Sequence, residues 1–305
     1  MNSDLYFIGI DGGGTKCRVI LQDKNGTHLG EGISGPANIM RDAELAKTSI
    51  LDGVDKAIES ANILLASQNS ETPVTPITLS QCVVAAGLAG ANVSTAKAHF
   101  ANWQHPFHSL HILSDLHAAC VGAHNGKPGA VIIVGTGSAG TVFNEGKFTD
   151  LGGHGFPIGD FASGAWLGLK AIQHTLLCLD NIRSPDDLAK KVCAELGTSN
   201  ADEIVAKCAG FSTYHYANLV PCMLPLLDEG DLQVVRIFNE GGEYLESMAQ
   251  RLLGDNTYNL ALIGGVRRKA PNLACPIISV VLFIWFPLGV LCWILPLLYY
   301  TKNSQ

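Results

Sequence analysis

The stretch "FIGIDGGGTKCRVILQDKNG", Phe7 to Gly26, narrows what this chain can fold into more than any other. An apolar strand over 5–10 runs into Asp11. Three glycines, Thr15 and Lys16 follow, and then a second apolar run, "CRVILQ" at 17–22, rather than a helix. "DKNG" at 23–26 is a hairpin turn with Asn25-Gly26 in a favoured position, and "THLGEGISG" gives a third strand. A strand, a glycine loop and a strand exclude the Walker A loop, which needs Gly-Lys-Ser/Thr and a following helix. Glycines still let backbone N–H groups turn inward as an anion cradle, with Thr15 adding a hydroxyl and Lys16 a charge. Asp11 cannot bind phosphate itself but can hold Mg²⁺ through water. A plain hairpin with Asp11 capping its turn would need one glycine, not three.

The pattern recurs. "GAVIIVGTGS" at 129–138 is a strand entering a second glycine loop, and "AGTVFNEGKFTDLGGHG" after it alternates like a hairpin. "GTGSAG" matches the dinucleotide fingerprint, but that motif requires a helix beginning inside it. A second phosphate loop, with Thr136 and Ser138 as donors, fits better. The two copies stand about 120 residues apart and hint at a duplication into two similar lobes. Between them the spacing predicts a helix over 41–66, a strand at "QCVVAAG", a helix around 93–102, a short strand "HILSD" at 111–115 and a helix after it. Helices fill most of 164–253, the clearest at 164–179, 185–196 and 231–253, and "NLALIGG" at 259–265 is a last strand. Strands grouped with helices in this way predict an α/β protein with mixed sheets.

Asp115, at the end of "HILSD", has two readings. One is a helix N-cap. The other is a general base for a hydroxyl attacking phosphorus, since a carboxylate between two phosphate loops is placed for that. "GGHGFPIGDFASGAWLG" at 152–168 carries one carboxylate, Asp160, and can offer backbone groups and one acid to sugar hydroxyls; an ordinary surface loop is the alternative. His154 is a loop residue rather than a base.

Composition removes some partners. With 27 acidic and 20 basic residues the net charge is −7, and no Lys/Arg cluster offers a face to nucleic acid. The 33 glycines, many clustered beside apolar runs, suggest backbone approaching a ligand closely. The nine cysteines show no Cys-x-x-Cys pair and no metal-ligand spacing with histidine, and read as buried free thiols of a reducing compartment. The N-terminus lacks the basic and apolar regions of a signal peptide, so a cytoplasmic location is expected.

The far end differs. From Ala270 to Thr301 there is no Asp, Glu, Lys or Arg, and "PIISVVLFIWFPLGVLCWILPLLYY" exceeds the length of a bilayer span. A shifted reading frame explains such an abrupt change. A membrane anchor is a second explanation. A buried core helix is a third, weakened by Pro276, Pro287 and Pro296.

"GIDGGGTK", "SDLHAAC", "VGTGS", "GGHGFPIGD" and "LALIGG" occur in the order seen in the N-acetylglucosamine kinase and BadF-type ATPase group of the actin-like, sugar-kinase superfamily, which the chain resembles over about residues 5–265. The resemblance is closest to bacterial glucosamine kinases. It implies two ribonuclease-H-like lobes of mixed sheets flanked by helices, over 1–114 and 115–269, with 270–305 as an atypical apolar tail. It implies ATP and Mg²⁺ as cofactors and an amino sugar as substrate, phosphorylated on its C6 hydroxyl. By position, Asp11 is the Mg²⁺-side carboxylate, and Gly12, Gly13, Gly14, Thr15 and Lys16 form the first phosphate loop. Gly135, Thr136, Gly137 and Ser138 form the second, with Ala209, Gly264 and Gly265 beside the adenosine. Asn38, Gly153, His154, Gly155 and Asp160 contact the sugar, and Asp115 binds the sugar and is the catalytic base. A homodimer and a choice between glucosamine and N-acetylglucosamine stay open. So does an ATPase that energises a redox enzyme through a cluster held by cysteines of two subunits.

Overall fold

The computed structural model describes residues 5–68, 75–257 and 259–264. The apolar tail and Gly265 lie outside the described residues. The chain divides into two compact units. The first holds Met1–Gly129 and the hairpin tip Phe143–Lys147; the second holds Ala130–Val142 and continues from Phe148.

The first unit is built on a five-stranded mixed sheet. β1 (Tyr6–Gly12), β2 (Cys17–Gln22) and β3 (His28–Ser34) form an antiparallel meander. β4 (Cys82–Leu88) and β5 (Ser109–Ser114) then add in parallel on the other side of β1, giving the order β3-β2-β1-β4-β5. β1 alternates as a strand covered on both faces should: Ile8 and Ile10 face one buried cluster, Phe7 the other. The larger cluster adds Val19, Leu21, Val84 and Ala86 from the sheet, Phe100 from α2 (Ser94–Ala101), and Ile50, Val54, Ala57 and Ala61 from α1 (Ala43–Gln68). Each fully buried aliphatic side chain such as Ile50 stabilises the unit by about 1.5–3 kcal/mol relative to exposure.

α1 lies unusually close to β3. A Cβ at Gly30 would stand 2.2 Å from the Ala57 carbonyl oxygen, and one at Gly32 would stand 2.1 Å from that of Gly53. These glycines let helix backbone meet strand backbone, so they serve packing within the chain. The expectation that the glycine clusters mark approach to a ligand is corrected at these positions.

α3 (Asp115–Ala123) follows β5 directly. The second unit opens with β6 (Gly129–Val134), β7 (Ser138–Asn144) and β8 (Lys147–Gly152), joined much later by β9 (Asn259–Gly264), in the order β8-β7-β6-β9. That order repeats β3-β2-β1-β4 of the first sheet: a meander running outward from its first strand, and a late strand on that strand's other side. Ala130, Ile132 and Val134 pack with Leu245, Met248, Ala249 and Leu252 of α9 (Leu232–Leu253). A separate cluster joins α4 (Gly164–Leu179), α5 (Asp187–Leu196), α6 (Ala201–Cys208), α8 (Val220–Glu229) and the start of α9, with the short α7 (Thr213–Ala217) beside α4.

Several helices begin a residue or two after the periodicity suggests, because an Asp caps each one. Leu45 N–H donates to Asp42 Oδ1 at 2.9 Å, Ala189 N–H to Asp186 Oδ1 at 2.9 Å, and Val234 N–H to Asp231 Oδ1 at 2.9 Å. Among the described residues, no helix is long and apolar enough to cross a membrane.

Candidate functional site

In the first unit, β1 delivers Asp11 to its C-terminal end, paired in register with Gly87 of β4, which pairs in turn with Leu113 of β5. Asp115 begins α3 just past the end of β5. Ligands of open parallel sheets bind beyond these strand ends. The N-cap of α3 is Ser114, whose Oγ accepts from His117 N–H at 3.1 Å. The capping reading of Asp115 is therefore corrected: Ser114 does that work, and among the described residues the exposed Asp115 carboxylate bonds the adjacent Leu116 N–H alone, at 2.9 Å. The Asp11 carboxylate accepts no hydrogen bond from the described residues. Burial, and second the charge of Asp115, push its pKa above the ordinary carboxylate value, against the lowering pull of Lys16 and Arg18.

The three glycines after Asp11 have different reasons. A Cβ at Gly12 would meet Leu88 Cδ2 at 2.5 Å and Ala37 Cβ at 3.0 Å, so this glycine is dictated by packing. Gly13 anchors the loop: its N–H donates to the Lys16 carbonyl and its own carbonyl accepts from Ala37 N–H, both at 2.9 Å. Gly14 has nothing within 4 Å of its would-be Cβ, and with Thr15 and Lys16 it is exposed. Nearby, Asn38 Oδ1 accepts from Met40 N–H at 3.1 Å and Arg41 N–H at 3.0 Å, which leaves the side-chain amide to donate elsewhere.

In the second unit, β6 ends at Val134 and a tight turn closes with Gly135 N–H donating to the Gly137 carbonyl at 2.8 Å. β7 follows, a strand where the dinucleotide motif needs a helix. Gly135 again has open space within 4 Å, and Thr136 is exposed. Ser138 is not: its hydroxyl is buried and donates to the Phe161 carbonyl at 2.5 Å. Its one proton therefore ties two loops together, and Thr136 is the hydroxyl of this loop left facing outward.

The loop 153–163 is knitted to this turn at both ends. Gly153 N–H donates to the Ser138 carbonyl at 3.0 Å, and Gly164 N–H to that of Gly135 at 2.8 Å. Asp160 sits at φ +55°, with Oδ1 accepting from Gly155 N–H at 3.2 Å. Gly153, His154 and Gly155 are exposed. Tyr244 of α9 stands behind the loop, its ring 5.2 Å from that of Phe161; burial first and Asp160 second push its pKa up. Ala209 caps the C-terminus of α6 and is exposed. Gly264 ends β9 where a Cβ would lie 2.0 Å from the Val134 carbonyl oxygen. Asp11, the first loop, Asn38 and Asp115 thus belong to the first unit, and the remaining described candidates to the second.

One cluster escapes the sequence reading, which found no metal-ligand spacing with histidine. His174 and Cys178 are four residues apart on α4, and with Asp186 they bring three ligand-type atoms within 4.8 Å of one another. The i, i+4 spacing was the available signal. The chemistry is that of a hydrogen-bond network. Arg183 Nη1 lies 3.0 Å from His174 Nδ1, and a guanidinium can only donate, so Nδ1 accepts and the imidazole proton sits on Nε2. Nε2 donates to Asp186 Oδ2 at 2.6 Å. A metal-bound Nε2 requires the reverse, with Nδ1–H facing an acceptor.

Two mixed sheets, each a meander with a returning strand and a glycine turn after its first strand, define an actin-like ATPase and sugar-kinase fold. A Chromobacterium violaceum protein solved as a candidate N-acetylglucosamine kinase aligns over 96% of this chain and 99% of its own, with 26% identity and a TM-score of 0.75. The ROK hexokinase of Thermus thermophilus shares the fold over 98% and 100% of the two chains, with 15% identity and a TM-score of 0.51. The chain belongs to the BadF/BadG/BcrA/BcrD ATPase family, whose model matches residues 8–271. Among its relatives, the glucosamine kinase GspK of Vibrio cholerae is 32% identical over 271 residues, 89% of this chain and 88% of that protein. The N-acetyl-D-glucosamine kinase of Dictyostelium discoideum is 28% identical over 283 residues, 86% of each.

Proposed function

We propose that this protein is an ATP-dependent amino-sugar kinase that phosphorylates the C6 hydroxyl of glucosamine. The observation that carries the reading is the exposed Asp115 carboxylate, freed from capping by Ser114, beyond the same sheet end as Asp11 and an open glycine loop. The 32% identity with a glucosamine kinase along 89% of the chain supports the substrate.

Asp115 accepts the proton of the sugar C6 hydroxyl as that oxygen attacks the γ-phosphorus of ATP; the O–P bond to ADP breaks and ADP leaves. Such a base contributes about 10²–10⁴ in rate. Gly13, Gly14, Thr15 and Lys16 are the phosphate loop of the first unit, and Gly135, Thr136 and Gly137 that of the second. The open space beside Gly14 and Gly135 suits close approach of phosphate oxygens to backbone. Gly12 and Ser138 shape the two loops from behind. Ala209 and Gly264 are assigned to the adenosine side. In the first unit the Asn38 amide is assigned to donate to a sugar hydroxyl, and in the second unit Gly153, His154, Gly155 and Asp160 are assigned sugar contacts.

The residues fit Mg²⁺. Asp11 is a hard oxygen donor without a hydrogen-bond partner among the described residues, its charge disfavoured by burial and by Asp115, and a divalent cation would relieve both. When bound, Mg²⁺ neutralises phosphate charge. ATP as donor supports a cytoplasmic location.

The test is sugar-dependent ADP release across glucosamine, N-acetylglucosamine and glucose. Glucosamine is expected to turn over fastest, and Asp115→Asn to abolish turnover while ADP binding survives. Normal turnover by that variant would sink the base assignment. The Dictyostelium relative favours a second reading, an N-acetylglucosamine kinase, which faster turnover of the acetylated sugar would establish. A redox activator fits less well. Cys17 and Cys82 are buried, with thiols pushed up to about 11 and about 12, so neither is poised as a thiolate ligand.

A further inference from the structure

We infer that Asp160 is a positioning residue for the second glycine loop, so that the acid of the sugar-side loop also sets how the protein holds nucleotide. The inference rests on reading residues 135–138 as a phosphate loop. Its basis is the surroundings of Gly137. A Cβ built there would meet Asp160 Oδ2 at 2.7 Å, Cγ at 3.2 Å and Oδ1 at 3.7 Å, and these are its three nearest neighbours. The carboxylate therefore backs directly onto the middle of the turn.

The carboxylate is itself held in place. Oδ1 accepts from Gly155 N–H at 3.2 Å, so the loop that carries Asp160 also fixes its rotamer. On either side of this contact the same two segments are bonded again. Ser138 Oγ donates to the carbonyl of Phe161, the next residue, at 2.5 Å, and Gly164 and Ala165 N–H groups donate to the Gly135 and Thr136 carbonyls at 2.8 and 3.2 Å. The backbone of Asp160 stays at φ +55°, a conformation that Gly, Asn and Asp adopt more readily than other residues. Every element of the turn 135–138 is thus braced by 160–165, and at Gly137 the brace is a single side chain. A residue that only touched sugar would need none of this.

The test is ADP binding measured by calorimetry without sugar, in wild type, Gly137→Ala, Asp160→Gly, Asp160→Asn and Gly137→Ala/Asp160→Gly, with melting curves to confirm folding. Gly137→Ala drives a methyl into the carboxylate and is expected to weaken ADP binding about tenfold or more. Asp160→Gly keeps the backbone angle but removes the brace, weakening binding about fivefold. Asp160→Asn keeps both the angle and the acceptor for Gly155 and holds ADP within about threefold. The double variant binds more tightly than Gly137→Ala alone, because the obstructing carboxylate is gone. Effects that simply multiply in the double variant, or Asp160→Gly binding ADP like wild type while losing sugar, overturn the inference and leave the kinase reading standing. Wild-type protein that binds no ADP overturns the phosphate-loop reading, and this one with it.

Discussion

Gly12 and Gly14 stand two residues apart in one motif, and replacing each with alanine should fail in opposite ways. At Gly12 the new methyl carbon lands 2.5 Å from Leu88 Cδ2, 3.0 Å from Ala37 Cβ and 3.3 Å from the Ala37 carbonyl oxygen. Leu88 can rotate, but Ala37 is fixed by its N–H bond to the Gly13 carbonyl at 2.9 Å, so the strand end or the 35–38 segment must give way. Overpacking of this kind costs about 1–3 kcal/mol. For a unit of this size each kcal/mol moves the melting point by about 4 °C, so Gly12→Ala should melt about 4–12 °C lower. At Gly14 nothing stands within 4 Å and φ is not in the left-handed region, so alanine should change stability by less than about 0.5 kcal/mol. There the methyl instead occupies the space proposed for phosphate, and the KM for ATP should rise about tenfold with melting unchanged. Calorimetry and an ADP-release assay on both variants suffice. If Gly14→Ala melts as low as Gly12→Ala, or binds nucleotide like wild type, the division of labour argued for these glycines is wrong.

Two further perturbations test charge and hydrogen bonding. Asp11 holds its proton more tightly folded than unfolded, so the folded state binds more protons between the ordinary carboxylate pKa and the raised one, and stability falls as pH rises through that window. Asp11→Asn should therefore melt above wild type at pH 7 without ligands, lose that advantage below about pH 4, and lose turnover. A lower melting point at pH 7 would contradict this. Asp186→Ala removes an N-cap worth about 1 kcal/mol and leaves the buried His174 Nε2–H facing the weak acceptor Cys178 Sγ at 3.4 Å, at about 1–3 kcal/mol more. A melting point about 8–16 °C lower is expected, while EDTA should leave wild type unmoved; sensitivity to the chelator would restore the metal reading.

What was legible in the sequence was whatever depends on neighbours along the chain. β2 at 17–22 and α4 at 164–179 follow from apolar spacing, and both glycine turns from the absence of a helix after them. Helix starts drifted by a residue or two because Asp42, Asp186 and Asp231 fall inside the periodic windows yet act as caps. Residues whose role is set by distant partners were hidden. Nothing in "LGEGISG" says that Gly30 and Gly32 await Ala57 and Gly53 of a helix not yet begun, so a packing glycine and a ligand glycine looked alike. Ser138 looked like a phosphate donor until Phe161 claimed its proton. The His174 network needed Arg183 to decide its tautomer, and no spacing rule carries that information.

The strand order of the first sheet carries a consequence for how the chain is made. The meander and the helix lying on it are complete within the first 68 residues, with local pairings that close quickly. The centre of the sheet is not: Tyr6 of β1 pairs with Cys82 of β4, so the sheet waits for a partner from much later in the chain, at the loop-closure cost that distance imposes. During synthesis β1, already paired with β2, therefore presents one open edge beside Phe7, Ile8 and Ile10 for as long as the ribosome takes to deliver "CVVAAGL". The separation of those two strands in the sequence thus sets how long that edge stays open during synthesis.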